Sequence, residues 1–315
     1  MNTRIAHLVG AAALMTALPA TAAEKDLIAP GAKVQKLAGG MKFTEGPVWL
    51  PKEKKLVFSD IPNSKLMQWN EKDGLSVFRE ESHQSNGNIL DLQGRLISCQ
   101  HAARNIVRTE NDGSIKVIAE QVNGNRFNSP NDVAVRSDGT FWFTDPPWGL
   151  RDGKREVDGH WVYKLNAKTG KSQPIIKNLA MPNGIVFSPD ERRLYVADTG
   201  GNRLVLNPAF RNLPDRVYCY EVSKKGKLGK KLFHIDGGSD GMAVDVKGNL
   251  YTTHRGSVHI FDADGKKLGE IKVPEGPANC TFGGEDFKTL FITARTSLYS
   301  IRLKNAGAKP PGAKW

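Results

Sequence analysis

The chain has 315 residues, a formal net charge of +12 and an ordinary globular composition, with 39% hydrophobic and 25% charged residues. Its positive charges are spread along the chain, and the densest run, residues 224–231, contains no aromatic residue, which argues against a nucleic-acid partner. Three cysteines without a C-x-x-C pair argue against a thiolate zinc site, and we expect Cys99, Cys219 and Cys280 to be buried thiols rather than a disulfide.

The first segment has the three parts of a secretory signal peptide. Met1–Arg4 is a positive start, His7–Leu18 is an apolar run, and Pro19–Ala23 supplies small residues before the next charges. The apolar run is shorter than the roughly 20 residues that a membrane-spanning helix needs. We therefore expect residues 1–23 to be removed and residues 24–315 to be exported, to the periplasm or the medium, with no membrane partner afterwards.

After this leader, one strand pattern recurs six times. Each copy is a short apolar run, bounded by turn residues, that ends in Asp, Thr, Ser or Cys. The copies are Leu56–Asp60, Leu96–Cys99, Phe141–Asp145, Leu194–Asp198, Leu250–Thr253 and Leu290–Thr293. Their starts lie 40 to 56 residues apart, close to the period of propeller blades. The pattern predicts an all-β fold, a single six-bladed β-propeller, and we expect the Pro-, Gly- and Lys-rich tail after Asn305 to be a flexible end.

A second set of positions keeps the same register. A polar residue, usually followed by Gly or Asp, stands 10 or 11 residues before each of the six strands. The six are Glu45, Asn86, Asn131, Asn183, Asp240 and Asn279. Each precedes an apolar run of the kind that forms the innermost strand of a blade, which comes first in the chain and lines the channel. We therefore expect these side chains, called the ring residues below, to face the propeller axis together.

The chemistry of the ring residues favours a hard cation. Two carboxylates and four amides supply oxygen ligands, and neither His nor a cysteine pair is among them. Such donors suit Ca²⁺ or Mg²⁺, and Ca²⁺ better accepts neutral amide oxygens in a loose geometry. We expect one divalent metal ion, calcium in the first place, with Mg²⁺, Mn²⁺ and Zn²⁺ as alternatives. Read singly, each Asn or Asp before Gly is an ordinary turn residue.

Five motifs resemble the gluconolactonase family, which includes senescence marker protein and the luciferin-regenerating enzyme. They are Phe43–Trp49, Asn128–Asp132, Met181–Gly184, Ser239–Met242 and Asn279–Gly284, in this order along the chain. The resemblance implies a propeller with one divalent metal in its channel, held by Glu45, Asn131, Asn183 and Asp240. It also implies that Asp240 acts as the catalytic carboxylate, and it leaves the roles of Asn86 and Asn279 open.

The expected reaction is the hydrolysis of a small ester-like substrate such as a sugar lactone. The metal would polarise the carbonyl and stabilise the developing oxyanion, while a carboxylate activates water. Asp240 is the first candidate for the base, and Asp132 is the alternative, unless Asp132 only holds its loop.

Further candidates lie beside the ring. His101 could bind a substrate hydroxyl or shuttle a proton, or be structural. Arg104 could grip polyol oxygens or pair with a blade edge, and Arg126 stands just before a metal motif. Trp148 could stack on a sugar ring or pack over its blade. With Asn86 and Asp132, these residues form the expected substrate-binding set.

Two other functions fit the same residues. One keeps the metal but changes the substrate to another lactone or a phosphotriester, because one propeller site can serve several chemistries. The other is a non-catalytic binding propeller with a structural calcium ion. The two carboxylates on the axis and the candidate His101 favour the enzyme.

Overall fold

The computed structural model describes residues 27–150, 154–201, 204–205 and 207–315. The predicted signal peptide, residues 1–23, lies outside them. The described residues form six four-stranded antiparallel sheets whose innermost strands neighbour one another in a closed circle, which confirms the six-bladed β-propeller. None of the helices in the described ranges is long and apolar enough to cross a membrane.

The strands are numbered in chain order. They are β1 Gln35–Ala38, β2 Thr44–Leu50, β3 Lys55–Asp60, β4 Lys65–Asn70, β5 Gly74–Arg79, β6 Ser85–Leu90, β7 Leu96–Gln100, β8 Asn105–Thr109, β9 Ile115–Ala119, β10 Gln121–Val122, β11 Asn125–Arg126, β12 Val133–Val135, β13 Thr140–Asp145, β14 Trp161–Asn166, β15 Lys171–Ile176, β16 Pro182–Phe187, β17 Arg193–Asp198, β18 Arg216–Val222, β19 Leu228–Asp236, β20 Met242–Val244, β21 Leu250–His254, β22 Ser257–Phe261, β23 Lys267–Lys272, β24 Pro277–Gly283, β25 Thr289–Ala294 and β26 Ser297–Arg302. Two 3-10 helices cover Ile61–Asn63 and Pro208–Phe210.

Blades 1 and 2 are β2–β5 and β6–β9, blades 3 to 5 are β12–β15, β16–β19 and β20–β23, and β10 and β11 form a separate hairpin. Blade 6 joins the two halves of the chain, because its three C-terminal strands β24–β26 are completed by the N-terminal β1. This pairing closes the ring and leaves no free edge between the first blade and the last.

The uneven spacing of the sequence repeat has a structural cause. Blades 3 and 4 carry long connections between their second and third strands, 146–160 and 199–215, and the β10–β11 hairpin is inserted before blade 3. Both long connections leave the end of the propeller at which the innermost strands begin. The extra length therefore lies around one mouth of the channel, which we call the outer mouth.

Aromatic side chains pack between neighbouring blades. Trp49 of blade 1 stacks on Phe291 of blade 6, with ring centroids 5.5 Å apart. Trp142 of blade 3 meets Phe187 of blade 4 edge-on, at 5.1 Å. Such pairs bury large apolar areas with defined geometry, so they fix how each sheet is placed against the next. The three cysteines are buried and free, as predicted.

The C-terminal tail is not the flexible end expected from its composition. The Ala308 amide donates to the Val244 carbonyl (2.9 Å), and the Trp315 indole donates to the Asp91 carbonyl (2.7 Å). The tail thus runs from blade 5 to blade 2 across the end of the channel opposite the outer mouth. A cavity of about 170 Å³ lies between the innermost strands and residues 308–311 and 315.

Candidate metal centre and active site

The structure brings the predicted ring residues together at the outer mouth. Glu45, Asn86, Asn183 and Asn279 lie in innermost strands, and Asn131 and Asp240 stand two residues before theirs. The Asn183 amide donates to the Asp240 carboxylate over 2.6 Å, and the Asn279 amide donates to the Glu45 carboxylate over 2.9 Å. Contacts therefore run directly between ring residues of neighbouring blades, as the shared register predicted.

The glycines that follow ring residues have a packing role beyond turn formation. A Cβ atom on Gly184 would lie 2.3 Å from the Asp240 carbonyl oxygen, and one on Gly241 would lie 1.9 Å from Cγ of Asn279. The Gly184 amide also donates to the Asp240 carbonyl (2.9 Å). The backbone after one ring residue thus touches the next ring residue, and only glycine leaves room for this approach.

The aspartates that end several second strands hold the loops that lead into the ring. Asp145 accepts hydrogen bonds from the Asn128 and Ser129 amides, both at 2.8 Å. Asp198 accepts from the Ala180 and Met181 amides, at 2.9 and 2.8 Å. These loops directly precede Asn131 and Asn183. The recurrent strand-ending aspartate therefore positions the ring instead of joining it.

Hydroxyl groups fix the ring backbone from the neighbouring blade. Ser59 donates to the Asn86 carbonyl and Thr144 donates to the Asn183 carbonyl, both at 2.7 Å. We did not single out these two residues from the sequence. The signal that could have found them is the hydroxyl residue that stands one place before the strand-ending aspartate in blades 1 and 3.

Three carboxyl groups share the centre of the site. Burial, and next the negative charge of Asp240, raise the pKa of Glu45 well above its usual range. Burial raises the pKa of Asp240 to about 6 against the hydrogen bond from Asn183, and burial raises the pKa of Asp132 to about 7. No lysine or arginine in the described part of the chain forms an ion pair with any of the three. A divalent cation would relieve this repulsion, so the residues fit a metal ion.

The amides are needed to complete such a site. Across the described ranges, no three His, Cys, Asp or Glu side chains are grouped so that they alone could hold a metal. The oxygens of Asn131 and Asn183, both buried beside the carboxylates, would have to join them. This mixture of charged and neutral oxygen donors agrees with the expected preference for calcium.

His101 lies beside the ring under a loop. Its Nε2 atom is 3.3 Å from the amide nitrogen of Asn86, and its side chain is buried. Burial lowers the pKa of His101 to about 4, so the imidazole is neutral at pH 7. A Cβ atom on Gly149 would lie 2.6 Å from Cβ of His101. The loop that contains Gly149 therefore closes the blade 2 side of the site.

The other predicted substrate residues make contacts with the protein. Arg104 donates from Nε to the Phe127 carbonyl (2.7 Å) and pairs with Glu156, and Arg126 donates to the Ala103 carbonyl (2.8 Å). Both arginines thus tie neighbouring loops together. Trp148 lies on the loop over His101 with 37% of its surface exposed.

Asp132 faces away from the outer mouth. Its carboxylate accepts hydrogen bonds from the Val133 (2.9 Å) and Ile185 (3.2 Å) amides, and it lines the inner cavity that the tail closes. These bonds join blade 3 to blade 4, the loop-holding role foreseen as the alternative to catalysis.

Solvent reaches the ring through one side of the mouth. Among the six ring residues Asp240 alone is partly exposed, and the other five are buried. Asp240 lines a cavity of about 230 Å³ together with Thr199, Asp215, Ser239, Thr253, His254, Arg255 and Pro277. The open approach to the ring is therefore over blades 4 and 5.

Comparisons with known proteins agree with the fold and the ring. A family model described as the SMP-30/gluconolactonase/LRE-like region matches residues 43–296, which include every ring residue. A gluconolactonase from Zymomonas mobilis is 31% identical over 297 residues, 87% of this chain and 82% of the relative. A pentonolactonase from Haloferax volcanii is 27% identical and covers 80% of this chain and 81% of its own. The solved structure of a gluconolactonase from Xanthomonas campestris superimposes with a TM-score of 0.80 at 32% identity, over 92% of this chain and 99% of that one. The chain therefore belongs to the SMP-30/gluconolactonase/LRE-like family.

Proposed function

We propose that this protein is a metal-dependent hydrolase that opens sugar lactones. The observation that carries the proposal is the position of Asp240, which is at once the partner of Asn183 in the ring and the ring residue that is open to the outer cavity. The relatives named gluconolactonase and pentonolactonase support the choice of a lactone as substrate.

Glu45, Asn131, Asn183 and Asp240 would hold the metal ion, and calcium is the ion that their oxygen donors favour. When bound, the ion supplies Lewis-acid polarisation of the lactone carbonyl. The repulsion between Glu45 and Asp240 supports this ligand set, because a nearby cation stabilises both groups in their charged forms.

Asp240 would take a proton from a water molecule held beside the substrate carbonyl. The water oxygen bonds to the carbonyl carbon, the bond between that carbon and the ring oxygen breaks, and the proton passes from Asp240 to the leaving alkoxide. Asn183 keeps the Asp240 carboxylate in one orientation through its hydrogen bond. His101, neutral at pH 7 and beside Asn86, lies on the opposite side of the ring, where it would contact a substrate hydroxyl.

The test is the release of acid from D-glucono-1,5-lactone by protein lacking residues 1–23, with the spontaneous hydrolysis subtracted. We expect EDTA to abolish the activity, Ca²⁺ to restore it and Asp240→Asn to lower kcat at least about 100-fold. Asp236→Asn, which changes an exposed carboxylate on β19, is the matched control and should keep the wild-type rate.

The same experiment separates the alternative functions. Turnover of other lactones or a phosphotriester but not of the sugar lactone would leave the metal site and replace the substrate. Calcium binding without turnover of any of them would establish the binding propeller in place of the enzyme. We also propose export after removal of residues 1–23; recovery of the full-length chain in the cytoplasm of a Gram-negative host would contradict it.

A further inference from the structure

The walls of the outer cavity are almost entirely polar. Four of its residues carry hydroxyl or carboxylate groups close to the backbone, and Asp215, His254 and Arg255 add longer polar side chains on the blade 4 and blade 5 side. The described residues on the blade 2 side are covered, because Gly149 packs on His101 and Arg104 is bound to the Phe127 carbonyl. A substrate that reaches Asp240 through this cavity meets charged and hydrogen-bonding groups.

Arg255 occupies a backbone position that seldom carries a long side chain. It is the first residue of the two-residue turn between β21 and β22, and it and Gly256 have φ angles of 44° and 86°. A two-residue hairpin turn with positive φ at both positions favours Asn, Asp or Gly at the first position. Strained residues of this kind cluster at ligand sites, where the side chain is needed.

Asp215 and His254 complete one polar wall with Arg255. The His254 Nε2 atom lies 3.9 Å from an Asp215 carboxylate oxygen, and the side chains are 20% and 37% exposed. A Cβ atom on Gly238 would lie 2.8 Å from Cβ of Asp215, so Asp215 is packed against the loop that leads to Asp240. The wall thus presents a carboxylate acceptor, a guanidinium donor and an imidazole at a fixed position relative to Asp240.

The geometry points to Asp215, His254 and Arg255 as the residues that recognise the ring hydroxyls of the substrate. This inference rests on the proposed function for the identity of the substrate. A guanidinium fork and a carboxylate can bind neighbouring hydroxyls as donor and acceptor. With Asp215 and Asp240 both in the cavity, a neutral polyhydroxylated ring fits better than an anionic one. The three residues therefore select lactones with hydroxyl groups over unsubstituted lactones.

The decisive variant is Arg255→Asn, because Asn is favoured at this turn position and the variant should fold at least as well as the wild type. We expect the KM for D-glucono-1,5-lactone to rise about tenfold or more while kcat changes little, since binding common to ground and transition states is lost. The kcat/KM for δ-valerolactone, which has no hydroxyl groups, should not change. Equal losses on the two lactones, or no loss on either, would overturn the inference.

Lys54→Asn is the matched control. Lys54 also has a positive φ (50°), is exposed, and lies in the β2–β3 turn at the other end of the propeller. The variant removes the same charge and relieves the same backbone conformation. It should leave KM unchanged for both lactones, and thermal unfolding of both variants will show that each is folded.

A binding measurement separates this inference from the proposed reaction. 1,5-Anhydro-D-glucitol has ring hydroxyls but no carbonyl, so its binding can be followed by saturation-transfer NMR without hydrolysis. If the wild type opens neither lactone but binds this polyol and Arg255→Asn weakens the binding about tenfold, the reaction is wrong and the recognition site stands. If the variant binds the polyol as the wild type does, or neither protein binds it, the recognition site is wrong.

Discussion

The amide of Asn183 donates a 2.6 Å hydrogen bond to the carboxylate of Asp240, which joins the innermost strand of blade 4 to the start of blade 5. The Gly184 amide next to it binds the Asp240 carbonyl, so side chain and backbone of Asp240 are both held from the same strand. The group that we propose as the base thus has its orientation set by a neighbouring blade.

Replacing Asn183 by Leu, which has a similar shape without polar atoms, should weaken calcium binding. The change removes one proposed ligand oxygen and the hydrogen bond that orients Asp240. We expect the Ca²⁺ affinity measured by titration calorimetry to fall at least about tenfold. Asn166→Leu alters an exposed residue at the end of β14 and should bind Ca²⁺ as the wild type does; an unchanged affinity in Asn183→Leu would remove Asn183 from the ligand set.

Asp132→Asn should stabilise the metal-free protein in a pH-dependent way. Burial raises the pKa of Asp132 in the folded state to about 7, above its value in the unfolded chain. The stability that this group allows is therefore fully present below about pH 4 and is lost as the pH rises through 7, where the buried carboxylate must ionise. The variant avoids that cost.

We expect the free energy of unfolding of Asp132→Asn, measured by urea titration in EDTA, to exceed the wild-type value by about 2 kcal/mol at pH 8 and to match it at pH 4. This difference allows for the lost hydrogen bond to the Ile185 amide. Comparing variant with wild type at each pH cancels the opposite effect of His101, whose pKa burial lowers to about 4. A variant that is less stable at pH 8 would show that Asp132 is ionised without cost.

Gly149→Ala should displace the loop that covers His101. A Cβ atom there would lie 2.6 Å from Cβ of His101 and 2.7 Å from Cβ of Ser129, and neither neighbour is the end of a flexible chain. We expect thermal unfolding to show a loss of about 1–3 kcal/mol, together with lower kcat/KM on the sugar lactone. Gly276→Ala, where the nearest atom is 3.6 Å away, should be neutral. Two neutral variants would mean that the loop does not pack on His101.

Deleting residues 308–315 should destabilise the protein without changing the outer cavity. The deletion removes the hydrogen bond from Trp315 to the Asp91 carbonyl and the contact of the Lys309 ammonium with the Phe287 ring (4.0 Å). We expect a loss of about 2–3 kcal/mol in urea unfolding and faster hydrogen exchange in β12 and β20, with an unchanged KM at 20 °C or below. A KM that changes as much as stability would link the tail to the substrate site.

The fold and the ring could be predicted from the sequence because both depend on local patterns that repeat. Each blade places its ring residue at the same distance before an apolar strand, so six weak signals add up. The glycine after a ring residue was part of the pattern, but its reason was not, since the contact of Gly241 with Asn279 exists only between blades.

Long-range contacts explain what the sequence could not predict. Arg104 and Arg126 have the composition of substrate-binding residues, yet loops that no repeat describes turn them towards the Phe127 and Ala103 carbonyls. The tail resembles a disordered end in composition, and its order depends on carbonyl groups more than 200 residues away. Arg255 was not predicted because its turn becomes unusual only when its φ angle is known.

The pairing of β1 with β26 in blade 6, with Gln35 opposite Ser300, also governs how the molecule can fold. Contacts between the two ends of a chain are slow to form, because a very long loop has to close first. During synthesis the first strand has no partner until nearly the whole chain has emerged, so five blades can assemble while the circle remains open. Such late closure is compatible with passage through a membrane as an unfolded chain. It also makes the last step of folding the one at which both the N-terminal and the C-terminal strands must be intact.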